Sequence, residues 1–332
     1  MNRTRVTLAA TLAAALLGPV SAASAQELIL YSGRGESLVD PLVRAFEEQS
    51  GVTVNVRYGG TAELAILLQE EGEASPADVF WAQDPGALGA VSDLFAPLPE
   101  EILSRVPDAF HDENGKWIGA SARARTLVYS TERVTENELP DSILDLTGET
   151  YRGRVGWAPT NGSFQAHLTA MRVVLGEEAT REWLEGMIAN DIQAYSNNTA
   201  QVQAVADGEI DFGLPNHYYL LRFKSTDPDF PVAQTHFEDG DIGNLLMVAG
   251  VGVLASSNQP DLALQFVDFL LSPEAQQYFA DEVHEYPVTD EVSRNPMLES
   301  QEDLEAAAVD VDLNDLDDLD GTLDMLRDVG LL

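Results

Sequence analysis

The chain has 332 residues, with 56 acidic against 18 basic side chains, a net charge of −38 and no cysteine. This charge makes nucleic acid and anionic membranes poor partners, and the missing cysteine excludes a disulfide framework and a lipid-modified cysteine anchor. Because the length exceeds what one hydrophobic core usually serves, we expect two lobes of roughly 100 to 200 residues each.

Residues 1–25 have the pattern of a secretory signal peptide. Arg3 and Arg5 precede an apolar run over 6–17, and Ala23-Ser24-Ala25 predicts cleavage after Ala25. The apolar run is too short to remain as a membrane span. We therefore expect a Sec-exported periplasmic protein that is neither inserted in a membrane nor a lipoprotein.

After this segment, strand-like and helix-like patterns alternate. The predicted order is strand, helix, strand, helix, strand over residues 28–32, 38–49, 52–58, 61–71 and 77–81. This alternation predicts an α/β fold with parallel strands and right-handed crossovers. Ligands bind where parallel strands end, so the loops 32–36 and 59–63 should line a site.

A second set of elements follows a predicted strand over 121–129, which carries Arg123 and Arg125 on one face. Its strands are predicted over 153–157, 192–196 and 210–214, and its helices over 163–175, 180–189 and 199–207. A strand over 245–254 and a helix over 260–271 should rejoin the first lobe. One lobe interrupted by another is typical of closure about a hinge, and the predicted domains are 26–124 with 250–298, and 125–249 with 299–332.

The tail, 299–332, is acidic but keeps leucines at near-helical spacing, which favours a surface-packed helix over a disordered tail. Across the chain the carboxylates are scattered rather than set at metal-loop spacing. We interpret them as a solvated surface adapted to high salt, where screening weakens their repulsion. Buffering of cations is the alternative.

The segment Asn216-His217-Tyr218-Tyr219 follows the predicted strand 210–214 and Pro215. Pro215 and Asn216 predict a turn into a helix, which allows two adjacent tyrosines to reach one point. Ferric iron prefers hard phenolate oxygens, and a trivalent cation can deprotonate phenols well below their free pKa of about 10. The alternative is an aromatic pair that packs a helix start.

Two further turns, 160–163 and 197–199, each follow a strand and open a helix. Unpaired N–H groups and the helix dipole favour an anion at such a position. Ordinary N-capping is the alternative.

Nearly the whole mature chain resembles the periplasmic ferric-ion-binding proteins of ABC importers, which have the type II periplasmic-binding-protein fold, two lobes with a hinge between them. The resemblance rests on Leu30-Tyr31-Ser32-Gly33, Glu70-Glu71-Gly72, Ser75-Pro76-Ala77-Asp78-Val79-Phe80, Gln203-Ala204-Val205, Gly208-Glu209, Asn216-His217-Tyr218-Tyr219, Gln265-Phe266-Val267-Asp268-Phe269-Leu270 and Glu285-Tyr286-Pro287.

The resemblance implies a carrier without catalytic activity. Fe3+ is its cargo, held by Tyr218 and Tyr219 as phenolates, with a synergistic anion, carbonate or phosphate. The implied anion-binding residues are Asn161, Gly162, Ser163, Asn198 and Asn216. The implied partner is an ABC permease in the inner membrane, and we expect the carrier to be a monomer.

The chain departs from that family in the first lobe. Well-known members add a His and a Glu at positions that fall here on Gly35 and Ala62, and Phe164 stands near the place where some relatives have a further tyrosine. Candidate additional cleft residues are Tyr31, Arg34, Glu36, Tyr58, Glu63 and Arg125. A bidentate anion with water could also complete the iron shell.

Two other functions are considered. A carrier of an oxyanion or small organic anion would keep the fold and use the helix starts and arginines, with the tyrosines stacking on the ligand. A secreted hydrolase would need paired acids, but the sequence has no Ser/His/Asp motif, no His-Glu-x-x-His helix and no isolated carboxylate pair in a Trp-lined setting.

Overall fold

The computed structural model describes residues 26–293 and 295–332, so the predicted signal peptide lies outside the described residues. Its strands, numbered in chain order, are β1 Glu27–Ser32, β2 Thr53–Tyr58, β3 Val79–Ala82, β4 Trp117–Ala124, β5 Leu127–Ser130, β6 Val155–Trp157, β7 Gln193–Ala194, β8 Phe212–Gly213, β9 Val232–Thr235 and β10 Leu246–Val253. Its α-helices are α1 Glu36–Ser50, α2 Thr61–Glu71, α3 Pro85–Gly89, α4 Glu100–Leu103, α5 Gly162–Leu175, α6 Glu177–Ala189, α7 Asn198–Asp207, α8 His217–Thr226, α9 Pro260–Leu270, α10 Pro273–Tyr278, α11 Gln301–Ala307 and α12 Leu319–Asp328.

The first lobe is built on a sheet with the order β2-β1-β3-β10-β4. β1 pairs in parallel with β2 and β3, as the alternating pattern predicts, and β10 enters antiparallel between β3 and β4. Helix α1 buries one apolar stripe, from which Phe46 contacts Phe266 and Phe269 of α9 at ring-centroid distances of 5.2 and 5.5 Å. The helix ends at Gly51, whose φ of 73° is in the left-handed region that favours glycine.

The second lobe repeats this topology in a sheet with the order β7-β6-β8-β5-β9. β6 pairs in parallel with β7 and β8, and β5 is antiparallel to β8 and β9. The α/β architecture with two lobes is therefore as predicted. The exact domain limits stay a prediction; β10 pairs with first-lobe strands from Leu246 onward, four residues before the predicted limit at 250.

The prediction of one strand over 121–129 is wrong. β4 ends at Ala124 in the first sheet and β5 begins at Leu127 in the second, so Arg125 and Thr126 cross between the lobes. Their backbone N–H groups donate to the carbonyl oxygens of Leu245 and Pro215, at 2.9 and 3.2 Å. These two bonds hold the crossing against Leu245, which directly precedes β10, and against the start of α8.

The tail packs against the lobes, as predicted, but it is not one continuous helix. α11, a 3-10 turn over Leu313–Leu316 and α12 follow one another, and the leucines of the predicted stripe are buried. α12 is anchored to α5, where Thr322 and Thr169 share a hydrogen bond of 2.7 Å. Within the described residues, no helix is both long and apolar enough to cross a membrane.

Candidate functional site

Three strand-to-helix loops from each lobe face one another. The loops of the first lobe are 33–35, 59–60 and 83–84, and those of the second are 158–161, 195–197 and 214–216. Each follows a strand of a parallel pair, and the carboxyl ends of such strands share one edge of a sheet. Together the loops and adjoining helix starts enclose a cleft of about 350 Å3.

Tyr218 and Tyr219 are the second and third residues of α8, which directly follows the 214–216 loop. Their rings stack with centroids 4.2 Å apart, and Tyr219 lines the cleft. The Tyr218 side chain is 0% exposed and its hydroxyl has no hydrogen-bond partner among the described residues. Burial, Tyr219 and Glu285 raise the pKa of Tyr218 well above its ordinary value, and Arg123 and Arg34 oppose this rise.

The predicted anion-binding residues come together at the starts of α5, α7 and α8. Asn161 caps α5 by accepting from the Ser163 N–H, and the Asn198 side-chain amide donates to the Asn161 Oδ1 at 3.3 Å. The Asn216 Nδ2 donates to the Ser163 Oγ at 3.1 Å, and the Asn216 Oδ1 accepts from the Arg125 Nη1 at 3.1 Å. Three helix N-termini, each a favourable place for negative charge, therefore converge through one hydrogen-bonded network.

A buried charged cluster lies behind the tyrosines. The Arg34 Nη2 donates to both carboxylate oxygens of Glu285, at 2.8 and 2.9 Å, and the Ser121 Oγ donates to the same carboxylate at 2.5 Å. Arg123 is fully buried, and none of its three guanidinium nitrogens has a hydrogen-bond partner among the described residues; its Nη1 lies 3.8 Å from the Glu285 Oε1. Burial lowers the pKa of Arg123, while Glu285 and Tyr218 oppose the effect.

The remaining predicted cleft residues divide into two groups. Arg34 and Tyr58 line the cleft. The Arg34 guanidinium is already paired with Glu285, and the Tyr58 hydroxyl donates to the Asp40 Oδ1 at 2.5 Å. Tyr31, Glu36 and Glu63 are not among the residues that line the cleft with Tyr219. The Tyr31 hydroxyl donates to Glu71 at 3.2 Å, and both glutamates are exposed.

The Arg125 guanidinium donates hydrogen bonds to the second-lobe backbone and to Asn216. Its Nη2 donates to the Leu214 carbonyl oxygen, and burial lowers its pKa, with Tyr219 and Tyr218 opposing. Phe164 packs against Trp157 at a centroid distance of 5.4 Å and supplies no donor. Within the described residues, no group of three or more His, Cys, Asp or Glu side chains could hold a metal ion, so a metal in this cleft would depend on the tyrosines.

His217, which lies next to the tyrosine pair, is a buried structural residue. Its Nδ1 accepts from the Ala124 N–H at 3.2 Å, so its Nε2 carries the proton and donates to the His284 carbonyl oxygen at 2.8 Å. Burial lowers the pKa of His217 to about 4. One ring nitrogen therefore holds α8 to the end of β4, and the other holds it to the backbone at His284.

The sequence patterns missed Gln83, which follows β3 and lines the cleft, its neighbour Asp84, and the buried state of Arg123. Gln83 accepts from the Asn161 side-chain amide of the other lobe at 3.5 Å. Asp84 caps α3 through its Oδ1, and burial raises its pKa to about 6. The available signal was the position of 83–84 directly after the third parallel strand, where ligand-facing loops are expected.

Comparisons with known proteins agree on one family. Residues 41–306 match the model of the bacterial extracellular solute-binding proteins. The chain is 34% identical to the Fe(3+)-binding periplasmic protein of Serratia marcescens over 298 residues, which cover 88% of each chain.

Solved structures agree in fold. Iron-bound HitA from Pseudomonas aeruginosa is 34% identical, with a TM-score of 0.87 over 92% of this chain and 100% of that one. The Trichodesmium protein IdiA (FutA), solved with iron and citrate ligands, is 27% identical, with a TM-score of 0.75 over 92% of this chain and 100% of that one.

Proposed function

Because the chain belongs to the family of bacterial extracellular solute-binding proteins, which carry solutes and are not enzymes, we propose that it captures ferric iron with an anion and delivers it to an ABC permease. Capture takes place in the periplasm after export directed by residues 1–25. The Serratia relative named for Fe(3+) binding and the iron-bound HitA structure support iron as the cargo. Adaptation to high salt stays a prediction from composition.

The observation that carries the proposal is the burial and stacking of the tyrosine pair at the cleft. A buried phenol without a hydrogen-bond partner costs free energy, and within the part of the chain that the structure describes the Tyr218 hydroxyl is such a group. Tyr219 stacks on it and reaches the cleft. Ferric iron would use the two oxygens as phenolates, which are the hard donors it prefers.

The charges around the pair favour an anion as co-ligand. One ferric ion with two phenolates retains one positive charge, and Arg123 adds a second that no carboxylate of the described residues hydrogen-bonds. A carbonate, phosphate or carboxylate anion at the starts of α5, α7 and α8 would offset this charge and supply further oxygens to the iron. The citrate in the Trichodesmium structure supports a place for an oxygen-rich anion in such a cleft.

Iron delivery follows from the same chemistry. The Tyr218 phenol is protonated in the empty protein, since its pKa is raised, and loading must expel that proton. Acidification or loss of the anion therefore favours release, as does docking on a permease that opens the lobes.

Titration of the mature protein tests the proposal. Ferric nitrilotriacetate added with carbonate, phosphate or citrate should produce tyrosinate-to-iron charge-transfer absorption that saturates at about one ion per chain, since one tyrosine pair holds one ion. Absence of the band with all three anions would contradict iron capture.

Arg123→Met should weaken iron capture by more than about tenfold and raise the melting temperature of the iron-free protein. The reason is that a fully buried guanidinium without a hydrogen bond to any described residue costs stability and is retained for its charge. Differential scanning calorimetry and iron titration in one buffer measure both effects. Arg44→Met, at an exposed arginine on α1, is the control for loss of a positive charge. A lower melting temperature with unchanged affinity would oppose this role.

A second candidate is a carrier of an oxyanion or small organic anion without iron. Arg123 favours it, since this buried cation has no hydrogen-bond partner in the described ranges 26–293 and 295–332. The first lobe also offers neither a His nor a Glu at Gly35 or Ala62. Calorimetry separates the two candidates. Heat of binding from the anion alone, unchanged by added iron, would favour the anion carrier, and binding only when both are present would favour the iron carrier.

A further inference from the structure

Asp84 stands at the contact between the lobes. It follows β3 in the first lobe, and its Oδ1 accepts from the Ala87 N–H at 2.9 Å to cap α3. Its Oδ2 has no hydrogen-bond partner among the described residues. The residue is only 2% exposed, so this oxygen is buried as well. One oxygen therefore serves the fold of the first lobe, and the other has no use within it.

The free oxygen faces the amino end of α5, a 14-residue helix of the second lobe. A methyl group placed on Gly162, the first residue of α5, would lie 2.6 Å from the Asp84 Oδ2 and 3.2 Å from the Thr61 Cβ. Both distances are shorter than ordinary van der Waals contact. The absence of a side chain at Gly162 is therefore what lets the two lobes meet here.

Charge favours the same contact. The amino end of a helix carries partial positive charge and attracts a carboxylate. Arg123 of β4 is the charged side chain that acts on Asp84, and it too attracts the carboxylate. Since the pKa of Asp84 is raised only to about 6, the group is ionised at neutral pH. The neighbouring Gln83–Asn161 hydrogen bond also joins the two lobes, at 3.5 Å.

We infer that Asp84 is a cross-lobe positioning residue, whose free carboxylate oxygen docks on the amino end of α5 at Gly162 and holds the cleft closed around its cargo. The contact lies directly beside the anion-binding residues Asn161 and Ser163. Closure and occupancy of the helix start are thereby coupled at one position. Only the part of this inference that concerns cargo release rests on the proposed function.

Two variants of the full mature protein test the contact. Gly162→Ala overfills it by one methyl group, so we expect a larger radius of gyration for the iron-free protein in small-angle X-ray scattering and iron release at least about tenfold faster. Asp84→Asn keeps the size of the side chain and its cap on α3 but removes the charge. We expect it to release iron about two- to fivefold faster. Release is followed by loss of the iron absorption after a competing chelator is added.

Gly186→Ala is the matched control. Gly186 lies in α6 of the second lobe and does not line the cleft, and a methyl group there would meet the Thr147 side chain at 2.9 Å. This variant overfills a contact inside one lobe, so it should keep the wild-type radius and release rate. A Gly162→Ala variant with both values unchanged would overturn the inference, as would equal expansion of the Gly186→Ala control. If the wild type takes up no iron, the proposed function fails while the scattering comparison still decides the contact.

Discussion

Replacing both Tyr218 and Tyr219 by phenylalanine should abolish the visible iron absorption and weaken ferric-ion binding by more than about a hundredfold, the upper range for loss of a residue that only supports a metal ligand. The double variant keeps both rings, so the 4.2 Å stack at the start of α8 can remain. It removes only the two oxygens. Because the Tyr218 hydroxyl has no hydrogen-bond partner among the described residues, its loss should not lower the melting temperature.

Tyr151→Phe is the control for this experiment. The Tyr151 hydroxyl donates to the Glu138 carbonyl oxygen at 3.2 Å, and its ring packs against Phe212. That variant loses a hydroxyl at a distance from the tyrosine pair and should keep the iron absorption. Retained absorption and affinity in the double variant would remove the basis for iron capture and leave only an exported carrier of another solute.

The elements that the sequence predicted well are those whose signal is local. The alternation in β2 and the apolar stripe of α1 are visible within a single segment. The turn residues Pro215 and Asn216 likewise predicted the start of the helix that carries the tyrosine pair. In each case the hydrophobic period or the turn residue is itself the cause of the structure.

The features that escaped prediction depend on partners distant in the sequence. Alternation continues through 121–129, and nothing local shows that the chain changes sheets at Arg125, because the choice is made by pairing with Leu245 and Pro215. Arg123 has no hydrogen-bond partner among the residues described, because Glu285 is already paired with Arg34, which lies 251 residues from Glu285 in the chain. Asp84 belongs to no motif, and its importance arises from Gly162 of the other lobe.

Glu285→Gln should lower the free energy of unfolding by about 3 to 5 kcal/mol at neutral pH, the cost of removing one member of a buried ion pair. Glu285 and Arg34 are both essentially unexposed and lie 2.8 Å apart, and Arg123 lies 3.8 Å from the same carboxylate. Glutamine would leave two buried guanidinium groups without a counter-charge. Urea denaturation of the iron-free protein at pH 7 measures the loss.

The acid dependence gives this prediction a second measurement. Burial alone would raise the pKa of Glu285, but Arg34, Arg123 and the Ser121 hydroxyl outweigh it, so the pKa is lowered. A carboxyl with a lowered native pKa stabilises the fold above its unfolded pKa of about 4.3 and loses that contribution as the pH falls through its native value. The difference between wild type and variant should therefore be full at pH 7 and should shrink below about pH 4.

The cost of Glu285→Gln comes from desolvated positive charge, so removing part of that charge should recover stability. Arg123→Met added to Glu285→Gln should restore part of the loss, whereas Glu149→Gln, which breaks an exposed pair with Arg152, should have little effect alone. Equal stability of Glu285→Gln and wild type at pH 7 would contradict the argument. Failure of Arg123→Met to restore stability would show that hydrogen bonds to Ser121 and Arg34, rather than charge balance, hold this region behind the tyrosines together.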